Sequence, residues 1–205
     1  MDGKNTRIGI FGGTFNPPHI GHVAAARACV EALRLQRLLM IPTNIPPHKA
    51  LPAGSASPEQ RLEMVRIAAS MVPMAEACDL ELRRSGPSYT ADTVTELQAL
   101  YPHSTLWLVV GTDMLETFHH WYRPEQILSV CRLAAVARGR EDREKIERQA
   151  EMLRRTLGAR VDIVDNRVVE GSSTQFRGGS PRLVPSEILR YIRSHGLYGM
   201  EGENG

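Results

Sequence analysis

The sequence predicts an α/β fold: a doubly wound parallel sheet of about six strands with helices on both faces. Two observations carry this. Short apolar runs bounded by Gly, Pro or polar residues recur along the chain, and runs of that length read as buried strands. Segments with helical apolar spacing separate them, so strand and helix alternate, which demands parallel crossovers. No internal repeat, heptad run or low-complexity linker interrupts the alternation. The 205 residues are read as one domain, 1–205, long enough to bury a substantial core.

Ile8–Phe11 is the first strand and Leu38–Ile41, closed by Pro42, the second. Between them a helix starts at Pro17-Pro18, residues suited to a first helical turn, and ends near Arg34. Residues 43–56, with Pro46, Pro47, Pro52 and Gly54, form a long irregular loop, and such loops are more often functional than idle. Ser57-Pro58-Glu59-Gln60 combines a capping serine, a proline at the first helical position and a glutamine three residues after the cap, so a helix runs to about Ser70. Cys78–Leu82 reads as a third strand, followed by a loop and a helix from Thr90 with Val94, Leu97 and Leu100 on its inner face. Leu106–Val110, Leu133–Val136 and Val161–Val164 complete the strands. Glu141–Leu157 is an amphipathic helix with Ile146, Ala150, Leu153 and Leu157 at helical spacing and a solvated charged face. A short helix starts in the segment Gly171–Arg177, and Ser186–Ser194 closes the chain behind Pro185.

Composition narrows the function. With 25 basic against 23 acidic residues the net charge is only +2, which speaks against a nucleic-acid partner and fits a small anionic ligand better. No apolar run approaches the ~18 residues of a membrane span, no secretory core is present, and the expected location is the cytoplasm. Cys29, Cys78 and Cys131 are far apart and in apolar contexts, so they read as small core residues and not as a disulfide or metal framework.

The chemistry concentrates in Gly12-Gly13-Thr14-Phe15-Asn16-Pro17-Pro18-His19-Ile20-Gly21-His22. A strand that ends in Gly-Gly and leads into a helix start exposes backbone N–H groups at the positive end of a helix, a site for an anion and for phosphate in particular. His19 and His22, three residues apart, project from one face of that turn and can bond phosphate oxygens. Neither the P-loop pattern nor G-x-G-x-x-G after the first strand is present. Further candidates are Asn44, His48 and Lys49 in the long loop, Thr90 as helix cap or ligand, and Gly111-Thr112-Asp113 at the carboxyl end of the clearest strand. Trp121, in the aromatic and polar segment Phe118–Tyr122, is either core or ligand-facing, and Ser172-Ser173-Thr174 with Arg177 forms a helix start with a phosphate-fitting fork.

Taken together, these stretches resemble the bacterial nicotinate-mononucleotide adenylyltransferases, within the His-x-Gly-His nucleotidyltransferases that share a Rossmann-like fold with class I aminoacyl-tRNA synthetases. The motifs run through nearly the whole chain in order: residues 12–22, Pro46-Pro47-His48-Lys49, Ser88-Tyr89-Thr90-Ala91-Asp92-Thr93, Gly111-Thr112-Asp113, Trp121 and Ser172-Ser173-Thr174-x-x-Arg177. Gly171 departs from the isoleucine usual in that family. The resemblance implies a reaction of ATP, accompanied by Mg²⁺, with nicotinate mononucleotide. His19, His22 and Arg177 would hold the ATP phosphates, Gly12, Gly13, Thr14 and Phe15 would form the loop around them, and Gly111 and Asp113 would meet the adenosine. Ser172, Ser173 and Thr174 would meet the nucleotide at the second helix start, while Thr90, Trp121 and Tyr122 would take the pyridine ring and its carboxylate. Neither nucleic acid nor membrane is an expected partner, and a homo-oligomer is left open. Phosphopantetheine adenylyltransferase shares the His-x-Gly-His loop and is the runner-up, with the amide nicotinamide mononucleotide a nearer competing substrate. A binding module that has lost the chemistry is the alternative from outside the enzymes.

Overall fold

In the computed structural model, which describes residues 6–47, 50–137, 140–166 and 172–200, six parallel strands form one sheet. They are β1 (Thr6–Gly13), β2 (Arg37–Pro42), β3 (Ala75–Ala77), β4 (Ser104–Gly111), β5 (Cys131–Ala137) and β6 (Val161–Asp165), in the order β3-β2-β1-β4-β5-β6. The chain winds outward from β1 in one direction and from β4 in the other. The connections that follow these two central strands therefore diverge, and a crevice opens between their carboxyl ends.

Alternation along the strands supplies both faces. Ile8, Ile10, Leu39, Ile41, Leu106, Leu108 and Val110 point to one side, where they meet α3 (Thr90–Leu100), α5 (Pro124–Val130) and the stripe Ile146, Ala150, Leu153 of α6 (Arg140–Leu157). Leu38, Met40, Trp107, Val109, Ala134 and Val136 point to the other, against α1 (Ile20–Leu33), α2 (Pro58–Ser70) and α8 (Ser186–Ser194). Strands buried on both faces explain why the sequence shows continuous apolar runs there and no polar alternation. Gly9 is required for contact: a Cβ there would lie 2.5 Å from Leu38 Cδ1 and 2.6 Å from Leu35 Cδ1. Cys29 and Cys131 are fully buried, and burial pushes both thiols up to about 12, as inert core residues require.

Three expectations are corrected, and one stretch holds elements that were not expected. The third strand is Ala75–Ala77, and the segment 78–82 turns away after Cys78 N–H bonds Met40 O (2.9 Å). It is a turn, closed by Leu82 N–H on Asp79 O, that buries the neighbours Leu80 and Glu81 together. Pro17 and Pro18 precede α1, which begins at Ile20. His19, extended at φ −136°, is the cap, because its backbone N–H and the His22 side chain complete a capping box. Leu100 is 58% exposed; the seventh residue after Val94 on the inner face is Tyr101, which packs on the core in its place. Finally, the stretch after β4 holds two short helices, α4 (Thr112–Thr117) and α5, that periodicity over so few residues did not reveal. The Ser57 cap with its Gln60 partner, the α1 end at left-handed Arg34 and the buried stripe of α6 stand as expected.

Trp107, Arg132 and Asp162, on three neighbouring strands, form a polar contact outside the crevice. The Trp107 indole and the Arg132 Nε both donate to Asp162 Oδ2 at 2.8 Å. Burial pushes the Asp162 carboxyl up, but Arg132 and Trp107 outweigh it and hold the group below its ordinary value. Asp162→Asn should therefore cost about 1–3 kcal/mol at neutral pH. Because the folded pKa is the lower one, that cost is full above the ordinary carboxylate range and fades as pH falls through the folded value. Chemical denaturation of both proteins from neutral to acid pH checks this: the gap should close only at the acid end.

Candidate active site

The crevice is a cavity of about 730 Å³ lying across the carboxyl ends of β1, β2, β4 and β5. One end is the glycine loop: Gly12, Gly13 and Thr14 line it together with His19, Gly21 and His22 from the start of α1. The middle is Gly111 and Asp113 after β4, with Asn166 after β6 and Ser172. The other end is Ser88, Tyr89 and Thr90 at the start of α3, facing Trp121 and Tyr122.

The histidines are fixed by packing. Their rings lie 3.6 Å apart at 34°, and the His22 ring sits edge-on to Phe15 at 4.9 Å. His19 N–H donates to His22 Nδ1 at 3.1 Å, which sets the orientation of the His22 ring. Phe15 is left-handed at φ 48° and 2% exposed. Its side chain is thus the floor under His22 and not a cavity wall.

Asn16 organises the rest of the loop. Nearly buried, it donates from Nδ2 to Ser55 Oγ (2.7 Å) and accepts at Oδ1 from Tyr198 Oη (2.7 Å). Arg177 donates to the Asn16 carbonyl, and Ser173 Oγ donates to the Pro17 carbonyl at 2.8 Å. The glycine loop is therefore tied to α7 (Ser173–Arg177) and to the C-terminal turn at Tyr198, more than 150 residues later in the chain. Arg177, Ser173 and Thr174 do not line the cavity. Arg177 spans Asn16 O and Thr174 Oγ1, in the helix that follows Ser172, which does line it.

At the far end, Tyr89 and Tyr122 rings lie 4.4 Å apart and Trp121 rests on Phe118 at 5.2 Å. Asn44 stands behind this wall, its Nδ2 given to Arg84 O (3.0 Å) and its N–H to Ser88 Oγ (3.2 Å). His48 and Lys49 lie outside the described residues, as does Gly171.

Three groups escaped the sequence reading. Glu81 lines the cavity while only 5% exposed, and accepts from the Thr93 hydroxyl at 2.7 Å. Burial raises its carboxyl pKa against the opposing pull of Thr93 and Arg84. Arg61 is wholly buried and bonds the carbonyls of Thr14, Thr43 and Asn44. Its signal was available: Arg61 falls on the apolar stripe that continues through Val65, Ala68 and Val72. Tyr198 carried no signal, since a lone tyrosine near a terminus implies nothing about a partner 182 residues away. Among the described residues no cluster of three or more His, Cys, Asp or Glu side chains is placed to hold a metal ion, and no helix is long and apolar enough to cross a membrane.

The cytidylyltransferase-like family profile matches residues 10–179, from β1 through α7. A Carboxydothermus hydrogenoformans protein named "Probable nicotinate-nucleotide adenylyltransferase" is 36% identical over 198 residues, covering 94% of this chain and 98% of its own. This chain belongs to the nicotinate-nucleotide adenylyltransferase family. A Synechococcus relative of the same name is 37% identical across 96% of this chain and 97% of its own. Among solved structures, the Plasmodium falciparum nicotinic acid mononucleotide adenylyltransferase complexed with NaAD superposes with a TM-score of 0.75 over 96% of this chain and 99% of that one, at 16% identity. At that identity the likeness speaks for the fold.

Tyr198→Phe should test the tie between the C-terminus and the glycine loop. Losing the hydroxyl leaves Asn16 Oδ1 buried without its donor, a cost of about 1–3 kcal/mol. Amide hydrogen exchange should quicken in residues 14–22 while the central strands keep their relative protection.

Proposed function

We propose that this chain is a nicotinate-nucleotide adenylyltransferase, joining ATP and nicotinate mononucleotide to give nicotinate adenine dinucleotide and pyrophosphate. The observation that carries it is that one cavity holds both a phosphate-fitting end, Gly12 to His22, and an aromatic end, Tyr89, Trp121 and Tyr122. Family membership supplies the substrates: relatives across nearly the full length bear this activity in their names, and a related fold is complexed with the dinucleotide.

In this reading the triphosphate lies on the N–H groups of the glycine loop, with His19 and His22 beside it and Arg177 closing the edge. Gly111 and Asp113 meet the adenosine, Asp113 at the ribose, and Ser172 borders the nucleotide at the second helix start, where Ser173 bonds the Pro17 carbonyl and Thr174 accepts from Arg177. Thr90 and the start of α3 face the pyridine carboxylate, and Trp121 stacks on the ring with Tyr122 alongside. Asn44 holds the wall, and His48 and Lys49 are proposed to contact the substrate.

The mononucleotide phosphate is already an anion at neutral pH, so no base is needed to activate it. One of its oxygens attacks the ATP α-phosphorus in line; the new P–O bond forms as the bond from the α-phosphorus to the bridging oxygen breaks and pyrophosphate leaves with that electron pair. The protein's work is to align two repelling anions and offset the charge on the leaving group. Mg²⁺ is read as entering with ATP, where it neutralises phosphate charge. The chain works as one domain, in the cytoplasm where ATP is supplied.

Pyrophosphate release from Mg-ATP with nicotinate mononucleotide, nicotinamide mononucleotide and phosphopantetheine, offered separately, tests the reading. Fast turnover with the first is expected; activity with phosphopantetheine alone, or with none, overturns it. His22→Ala should lower kcat by roughly 10²–10³, the scale of losing one preorganised donor. Trp121→Ala should act mainly on KM for the mononucleotide, where one stacking contact of about 1–3 kcal/mol is lost. Steady-state kinetics with each substrate varied separates the two.

A further inference from the structure

Arg61 has no part in the reaction as described, yet its placement is costly. The side chain, on the first turn of α2, has no exposure to solvent. Among the described residues no carboxylate lies within ion-pairing distance of it. A cation taken from water without a counter-ion is retained only where hydrogen bonds and structure compensate. Its partners are backbone carbonyls alone: Nη1 donates to Thr14 O at 2.8 Å and Thr43 O at 2.7 Å, and Nη2 to Asn44 O at 3.3 Å.

Those carbonyls belong to two walls of the same cavity. Thr14 follows β1 and Thr43 follows the neighbouring β2, where its N–H bonds Gly13 O at 2.9 Å; both line the cavity. The guanidinium thus lies behind two cavity-lining peptides, and its field reaches the cavity through them. The Asn44 N–H is itself taken by Ser88 Oγ at 3.2 Å, in the wall that includes Thr90.

We infer that Arg61 is a positioning residue for the polyphosphate: its fork locks the two loops together, and its charge, sealed behind them, strengthens their attraction for an anion. The inference rests on the reading of the cavity as an ATP site. Sealed from solvent, the charge is weakly screened by salt. Burial lowers the arginine pKa while Tyr198, Glu59 and Glu81 oppose that, and an arginine stays charged throughout.

Calorimetric titration of wild type, Arg61→Gln and Arg61→Lys with adenosine, AMP, ADP and ATP, without the second substrate, tests this. In Arg61→Gln the loss of affinity should grow with ligand charge, from little for adenosine to about tenfold or more for ATP. Arg61→Lys should retain most ATP affinity at neutral pH and lose it on the alkaline side as the buried amine deprotonates, while wild type stays level. Equal losses for adenosine and ATP in Arg61→Gln would overturn the electrostatic role. If melting shows that Arg61→Gln does not fold, the lysine variant decides: an alkaline profile parallel to wild type overturns the inference. Wild type that fails to bind ATP would instead overturn the cavity reading, and the two failures are distinguishable.

Discussion

The site depends on one constraint: a loop that lines a cavity at the end of a buried strand must find partners for its carbonyls away from that cavity. A backbone group left unpaired inside the protein costs as much as a lost hydrogen bond. Here the carbonyls of Thr14, Asn16 and Pro17 are taken by Arg61, Arg177 and Ser173, from α2 and α7. With the oxygens committed on one side, the loop is held for a ligand on the other. The long crossovers of a parallel sheet make this affordable in chain length, because they return distant segments to the same edge.

The sheet order fixes where that ligand lies. Divergence of the chain at β1 and β4 opens the crevice, and the strands flanking it contribute ends of opposite character. β1 and α1 contribute glycines and histidines; β2 and α3 contribute threonine, serine and tyrosine with aromatic residues facing them. Two buried ionisable side chains stand at this edge, Arg61 bonded to the carbonyls of Thr43 and Asn44 and Glu81 to the Thr93 hydroxyl of α3. A ligand with a polyanion at one end and a flat ring at the other matches this arrangement, whereas a nucleic-acid backbone would need positive charge spread over an open surface.

The sheet and most helices were legible in the sequence because burial on both faces leaves continuous apolar runs, and because Ser57-Pro58-Glu59-Gln60 spells a helix start in purely local terms. The errors fell where local pattern and tertiary demand part. Cys78–Leu82 alternates apolar and polar residues like a strand, yet the chain turns there and buries the neighbours Leu80 and Glu81 together, Glu81 against α3. Pro17-Pro18 favours a first helical turn, yet the pair of histidines moves the start of α1 to Ile20. In the site, Gly12, Gly13, Thr14, His19, His22, Thr90, Asp113, Trp121 and Tyr122 all line one cavity, a gathering that motif order along the chain made readable. Asn16, Arg61 and Tyr198 act through partners far away in sequence, and such pairings leave no local trace.

The central claim is that the Gly12–His22 loop is the phosphate end of a two-ended cavity. A crystal structure with a non-hydrolysable ATP analogue and nicotinate mononucleotide bound together tests it most directly. Phosphate oxygens are expected on the loop N–H groups beside His19 and His22, with the pyridine ring on Trp121. Phosphates seated away from that loop, or the ring at the glycine end, would contradict it.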